Sequence, residues 1–368
     1  MCFTLVCDTK MYRIIRPLTK FAAFNTSNTD NQLVMKDDNT KMLATAVRAM
    51  EKLAPSLSFI ALQTGSNVGS LVIALIASKK AYFSQHYGIL FAEVLGPAFG
   101  PVPLREDLPR LPPPLSDSLM FYSMVDEMST LSAGKAWKWC DIRPDMIVSS
   151  AVLPVFSLRC SSLRNILTQP IRRGTQVGHP PRPNSHSIAE SVGAYLALYA
   201  HIHPAGSVPF PGTQESWKAT FRFTGEELLG DFAVRLSEAK GTLSSGEAFN
   251  IAHSDVTSWS QLWPQLAQYW GLRGVGPSDV KVDVQDWVIS NVQGVREWEQ
   301  MHRLQPNRLL KIPWRYFEWA VNMRTSRQMD LARAGTVGYE AESTHLDSFK
   351  AAWERLQLAK CLPSQGVM

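Results

Sequence analysis

The chain of 368 residues is poor in the features that usually classify a protein at sight. Its five cysteines (Cys2, Cys7, Cys140, Cys160, Cys361) contain no C-x-x-C pair. An odd number spread over so long a chain is not a disulfide framework, and a reducing compartment is expected. No run reaches the ~20 apolar residues that span a bilayer; SLVIALIA, from Ser70 to Ala77, soon meets Lys79 and Lys80. The N-terminus lacks the cationic start and small-residue cleavage site of a signal peptide, so a cytoplasmic location and no membrane contact are expected. Charge of one sign is not concentrated either. The 37 Lys and Arg against 32 Asp and Glu leave +5, dispersed along the chain, which argues against nucleic acid as a partner. Internal repeats, a G-x-S-x-G nucleophile elbow and a Walker phosphate loop are all missing, which removes repeat architectures, the commonest serine hydrolases and P-loop enzymes.

What is present is apolar bulk: 45% hydrophobic against 19% charged residues, enough for a large core and too much for a disordered chain. Residues 36–54 place Met42, Leu43, Ala46, Val47, Met50 and Leu53 on one helical stripe that Pro55 ends. Leu57 to Leu62 (LSFIAL) then reads as a buried strand, closed by Gln63, Thr64 and Gly65. A second helical pattern covers Met120 to Ala133, and Trp137 to Ile142 reads as the next strand, closed by Arg143 and Pro144. Helix, strand, helix and strand in that order are the parts of an α/β crossover with a parallel sheet.

From Ser187 onward the character changes. A helix from Ser187 to Ala200 opens a half in which eight of the eleven tryptophans fall between Trp217 and Trp319. That half is expected to be a mostly helical cap, with Trp259, Trp263 and Trp270 in its core. GLRGVG (Gly271 to Gly276) has the wrong spacing and place for a dinucleotide turn and reads as a loop. His201 and His203, two apart at a helix end, point to different faces, so no metal site is expected there. Two stretches fit no element: 68–85, and the Pro-rich basic stretch from Leu153 to Pro181.

One constellation remains: Leu62 to Gly65 at a strand end, Phe121-Tyr122 opening a helix with Asp126 one turn on, and WCDIRP (Trp139 to Pro144) as the next strand and turn. Open α/β sheets bind ligands beyond the carboxyl ends of their strands, where this tyrosine would lie. The residues alone leave Tyr122 open between a core-edge ring and a ligand-facing phenol. A phenol titrates near 10, so acid or anchoring work at neutral pH needs a neighbouring positive charge or donors to its oxygen.

From about Phe21 the sequence resembles the highly divergent short-chain dehydrogenase/reductases typified by progesterone 5β-reductase and iridoid synthase, and especially their fungal members. The matching stretches, in order, include LQTGSN (Leu62 to Asn67), HYGILFAEVLG (His86 to Gly96), PLREDLPRL (Pro103 to Leu111), MFYSMVDEM (Met120 to Met128), WKWCDIRPDMIV (Trp137 to Val148), SIAESVGAYLALYA, GEAFNIAHSDVTSWSQLWPQLAQYWGL and RQMDLARAGTVGY. The resemblance implies a Rossmann-like parallel sheet over 1–186 that binds NADPH, and a helical cap or substrate lobe over 187–368 with some strands returning to the sheet. It implies hydride delivery to an apolar enone or ketone in fungal secondary metabolism. Tyr122 falls on the catalytic tyrosine and Asn67 on the position of the family's lysine. Thr64 and Gly65 fall at the cofactor edge, and Pro144 and Ile147 in the turn whose backbone meets the nicotinamide.

The chain departs from that pattern in four places. Asn67 carries no charge. Removing 68–85 would join Asn67 to the His-Tyr pair, and removing about 149–181 would restore the passage to the helix at Ser187, so both read as insertions. The opening βαβ unit with its glycine fingerprint has no counterpart before Phe21, so the sheet is expected to be N-terminally truncated, with an exposed edge and weakened NADPH binding. Besides the reductase, two other readings stand: a cofactor-free isomerase or cyclase, or impaired member, on the same scaffold, and a partner-binding module built on the tryptophan-rich half. Substrate identity and oligomeric state are not legible.

Overall fold

The computed structural model describes residues 2–6, 18–22, 32–65, 103–110, 113, 116–150, 188–279 and 282–364, the first two ranges as backbone only. Asn67, Lys79, Lys80, the His-Tyr pair at His86 and nearly all of both insertions lie outside them.

Five strands make the main sheet: β1 (Cys2–Val6), β2 (Leu18–Ala22), β3 (Phe59–Gln63), β4 (Lys138–Pro144) and β5 (Glu247–Ile251), in the order β2-β1-β3-β4-β5. β3, β4 and β5 run parallel, with Leu62 opposite Asp141 and Arg143 opposite Asn250. Helices α1 (Gln32–Leu53) and α2 (Met120–Ser132) cover one face, and α4 (Glu226–Glu238) covers the other. The strand pattern shows why. Ile60, Leu62 and Trp139 pack with Leu43, Val47, Phe121, Met124 and Met128. The alternate residues Phe59, Ala61, Cys140 and Ile142 pack with Phe232, Ala233, Leu236 and Phe249. Side chains alternate across a strand, so a run apolar at every position is one buried on both faces.

Three expectations need correction here. The edge of β3 is not bare: β1 pairs along it antiparallel, with Thr4 opposite Ala61 and Val6 opposite Phe59, and β2 pairs antiparallel on β1. The sheet is therefore mixed, since an edge offers the same row of donors and acceptors to a strand of either direction. Leu53 is not part of the α1 stripe but 80% exposed; ten residues beyond Leu43, it has turned about 80° away from the sheet at 3.6 residues per turn. Finally, β4 does not stop at Ile142. It continues through Arg143 to Pro144, because a proline at the last position costs the ladder one donor only.

The cap core is built around α3 (Ile188–Ile202), which is apolar on nearly every side and buried accordingly. The Tyr195 ring sits 5.3 Å from Trp287 and 5.8 Å from Phe317. α5 (Trp259–Tyr269), α6 (Trp314–Asn322) and α7 (His345–Leu358) pack into the same core, and Trp259, Trp263 and Trp270 are buried as expected. α7 approaches α3 at Gly193, where a Cβ would stand 2.5 Å from Trp353 Nε1; that indole donates to the Ala189 carbonyl at 2.7 Å. Glu190 of α3 is buried in an ion pair with Arg308. The GLRGVG stretch is not simply a loop: Arg273–Val275 forms a short strand parallel to Ser207–Pro209. Gly274 is needed there, because a Cβ would lie 2.8 Å from Pro264 Cα and 2.9 Å from the Trp263 carbonyl. His201 faces His302 while His203 packs on Tyr199, so the two rings diverge. Among the described residues no helix is long and apolar enough to cross a membrane.

Candidate active site

The site begins where the parallel strands end. Asp141 interrupts the apolar run of β4, and its carboxylate, 1% exposed, gathers two donors. Thr64 Oγ1, just past the end of β3, donates to Oδ1 at 2.5 Å, and Arg143 Nε donates to Oδ2 at 2.7 Å. The Thr64 amide also donates to the Ile142 carbonyl at 2.9 Å, carrying the ladder one residue beyond β3. By strand parity Thr64, Asp141 and Arg143 share the face covered by α1 and α2. Buried charge is tolerated only when paired and hydrogen-bonded, which this carboxylate is.

A strap, residues 103–110, is fastened to these strand ends. The Leu104 amide donates to the Gln328 carbonyl at 2.6 Å, and the Asp330 amide donates back to the Leu104 carbonyl at 2.8 Å. The Asn250 side chain, at the end of β5, donates to the Leu104 carbonyl at 2.9 Å. Glu106 accepts the Asn250 backbone N–H at 2.8 Å, and its own carbonyl accepts Arg143 Nη1 at 3.3 Å. Burial pushes the Glu106 carboxyl above the usual range, with the Asn250 N–H working against it. The strap ends at Arg110, whose guanidinium grips Asp126 with two bonds, Nη1 to Oδ2 at 3.0 Å and Nη2 to Oδ1 at 2.7 Å.

Tyr122 stands under that guanidinium. The carboxyl-terminal end of α2 is tied to the start of β4, where Trp139 Nε1 donates to Ser132 Oγ at 3.0 Å. The first turn of α2 therefore lies at the carboxyl ends of the strands. Phe121 turns into the apolar cluster, whereas Tyr122, 4% exposed, is outside the three apolar clusters formed by the described residues. Arg110 Cζ is 4.8 Å from the centroid of its ring. The Arg110 guanidinium is held above its ordinary range chiefly by Asp126 and to a lesser degree by the Tyr122 phenol, against burial and, more weakly, Arg143.

The turn after β4 is tightly used. The Asp145 amide donates to Thr224 Oγ1 at 3.1 Å, and the Met146 carbonyl accepts the Thr224 amide at 3.0 Å. Ile147–Val148 pairs parallel with Thr224–Gly225. The Asp145 N–H and the Met146 carbonyl are thus both bonded to Thr224. Pro144 is buried at the end of β4, and Ile147 packs against the α4 side of the sheet, away from Tyr122. Beneath the turn, Arg327 Nε lies 3.4 Å from Asp145 Oδ2, both side chains being buried. The guanidinium covers the ring of Phe221 at 4.8 Å. Burial raises the neighbouring Tyr316 phenol, with Asp145 adding to the rise. Ser149 and Ser150 are buried as well, and the Ser150 amide donates to Glu226 Oε2 at 3.3 Å, so the chain is still packed where the second insertion was expected to begin.

The family model of the PRISE-like Rossmann-fold domain matches residues 13–168 and 168–363, nearly the whole chain. The chain belongs to the PRISE-like Rossmann-fold family. Among similar proteins, the short chain dehydrogenase sirQ of Leptosphaeria maculans is 51% identical over 345 residues, 93% of this chain and 76% of its own length. Short chain dehydrogenase sirS of the same fungus is 30% identical over 88% of this chain and 72% of its own length. The 3-oxo-Delta(4,5)-steroid 5-beta-reductase of Arabidopsis thaliana is 24% identical over 78% of this chain and 60% of its own length.

The motif resemblance thus holds, and within this PRISE-like chain the structure places Thr64, Gly65, Pro144 and Tyr122 at one end of one sheet. Asn67 lies outside the described residues. Sequence reasoning missed Asp141, Arg110 and the strap. An aspartate inside a buried strand was the available signal for the first, since such a residue must find donors. The Arg110–Asp126 pair spans 16 residues with no periodic relation, and only the fold brings it together.

Proposed function

We propose that this PRISE-like protein is an NAD(P)H-dependent reductase of an apolar enone or ketone, acting in fungal secondary metabolism. The observation that carries the reading is the position of Tyr122: at the first turn of a helix, beyond the carboxyl ends of parallel strands, with a guanidinium on its ring. The relatives' names, short chain dehydrogenases and a steroid 5β-reductase, support the same chemistry.

The residues at the strand ends fit the nicotinamide half of such a cofactor. Gly65 and Pro144 would present the backbone at the strand ends to a flat ring, Thr64 would border it, Ile147 lying on the other face of the sheet would take no part, and Asn67 would offer an uncharged amide to a ribose hydroxyl. When bound, the cofactor supplies the hydride. The chain's own part lies with Tyr122, whose hydroxyl would donate to the substrate carbonyl oxygen. A donor held at that oxygen contributes more as negative charge develops on it, and so lowers the barrier rather than merely holding the substrate. Thr64, Asp141 and Arg143 keep the ends of β3 and β4 in register beneath the reacting groups.

Titration of the purified full chain with NADPH, followed by cofactor fluorescence, tests the proposal. Saturable binding at sub-millimolar concentration, with NADPH consumed in the presence of an apolar enone, is expected. Turnover of a carbonyl substrate with no cofactor bound would replace the reductase by the cofactor-free isomerase or cyclase.

A further inference from the structure

We propose that Arg110 is a positioning residue for Tyr122: clamped by Asp126 and delivered by the strap, its guanidinium fixes the phenol ring and places a positive charge beside it. The inference deepens the proposed function and rests on Tyr122 being the residue that meets the substrate oxygen.

Three observations carry it. The guanidinium lies over the Tyr122 ring at 4.8 Å, within the ~6 Å range of cation–π attraction. Its direction is fixed by the paired bonds to Asp126, one helical turn along α2 from Tyr122. The strap that carries Arg110 is bonded to the ends of β4 and β5 and to the segment around Gln328 and Asp330. A planar fork with two acceptors in place loses little freedom in holding a ring beneath it, which a lysine would not match.

Electrostatics gives the arrangement a consequence. Among the described residues, the charged groups of this neighbourhood are Arg110 from the strap, Asp126 from α2, and Arg143 with its partner Asp141 from β4. Asp141 is already neutralised by Arg143 and Thr64, and Asp126, 62% exposed, is well screened by water. The four charges sum to zero, so the field at the ring is set by nearness, and the charge shown directly over the ring is that of Arg110, 4.8 Å from its centroid. That charge favours the phenolate, and with it every state in which the Tyr122 proton is shared with a substrate oxygen. This is the work for which Asn67 has no charge.

The test reads the phenol directly and needs no turnover. In full-length protein labelled with [13Cζ]tyrosine, the Tyr122 resonance is assigned by its loss in Y122F, and its titration is followed by NMR in wild type, R110M, R110Q and R110K. The two neutral variants are expected to raise the Tyr122 midpoint by roughly one pH unit, and R110K to recover at least half of that shift. Arg110 is about half exposed, so neither neutral variant removes core packing, and whichever of the two folds supplies the answer. A midpoint equal in wild type and the neutral variants, or absent from the accessible range in all of them, overturns the inference. The two proposals fail separately: reductase turnover retained by Y122F would sink the catalytic reading while leaving the Arg110 shift intact.

Discussion

Acidification should loosen this fold through two buried histidines at the start of α7. His345 is 2% exposed and His253 fully buried, with ring centroids 4.5 Å apart. The Phe223 amide donates to His345 Nε2 at 3.1 Å, so Nε2 is the acceptor and Nδ1–H donates to Asp255 Oδ2 at 2.9 Å. A neutral ring satisfies both contacts; protonation would break the first. Burial, and then the His253 ring, depress the His345 imidazole from 6.5 to about 4, against the pull of Asp255. His253 is lowered as well, chiefly by burial. The unfolded chain therefore takes up a proton near pH 6.5 that the folded chain refuses until about pH 4. Stability from His345 is complete above that window and falls as pH drops through it, by about 3 kcal/mol in all. Set against a typical 5–15 kcal/mol for a folded chain, that is a large share. Urea unfolding followed by tryptophan fluorescence at several pH values between 7.5 and 4.5, in wild type and H345Q, measures it. The glutamine can accept from Phe223 and donate to Asp255 without titrating, so the wild-type loss should exceed that of H345Q by most of the stated amount. Parallel curves for the two proteins would refute the argument.

Other sites give sharper single outcomes. D141N keeps the shape but removes the negative charge to which Arg143 and Thr64 donate; losing that charge beside a mostly buried guanidinium should cost about 3 kcal/mol in urea unfolding, and an unchanged midpoint would show that the strand ends are held otherwise. G193A drives a methyl into Trp353 and Leu362 and should lower stability by about 1–3 kcal/mol; a neutral result would mean that α7 can shift freely on α3. For the buried pair of Glu190 and Arg308, E190L or R308M alone should each cost about 3–5 kcal/mol, whereas E190L/R308M should cost far less than their sum, since breaking a buried pair is worse than replacing it. Additive losses would contradict that.

Much of this architecture could be read from residue pattern. α1, β3, α2, β4 and α3 were expected within a few residues, because a 3.6-residue stripe and an every-position apolar run leave few alternatives. The tryptophans of α5 lay where the amphipathic spacing placed them. Three kinds of feature escaped. The strand at Arg273–Val275 depends on Gly274 fitting against α5, a contact between elements that neither predicts by itself. The strand at Cys2–Val6 is short and unpatterned, and only the vacant edge of β3 gives it a role. At the site, Tyr122, Thr64, Gly65 and Pro144 were legible from order and family motifs, whereas Asp141 and Arg110 were not. Their partners are Arg143 and Thr64 for the one, Asp126 and the Tyr122 ring for the other, and each set is assembled from separate elements by the parallel crossover.

The most direct measurement is the rate at which Y122F oxidises NADPH with an apolar enone, set beside its affinity for NADPH. If the phenol donates to the developing oxyanion, kcat/KM should fall by about 100- to 1000-fold while cofactor affinity stays at the wild-type value, because the hydroxyl acts on the substrate side. Wild-type kcat/KM in Y122F would contradict the central claim, and would mark Tyr122 as an edge-of-core ring with a cation resting on it.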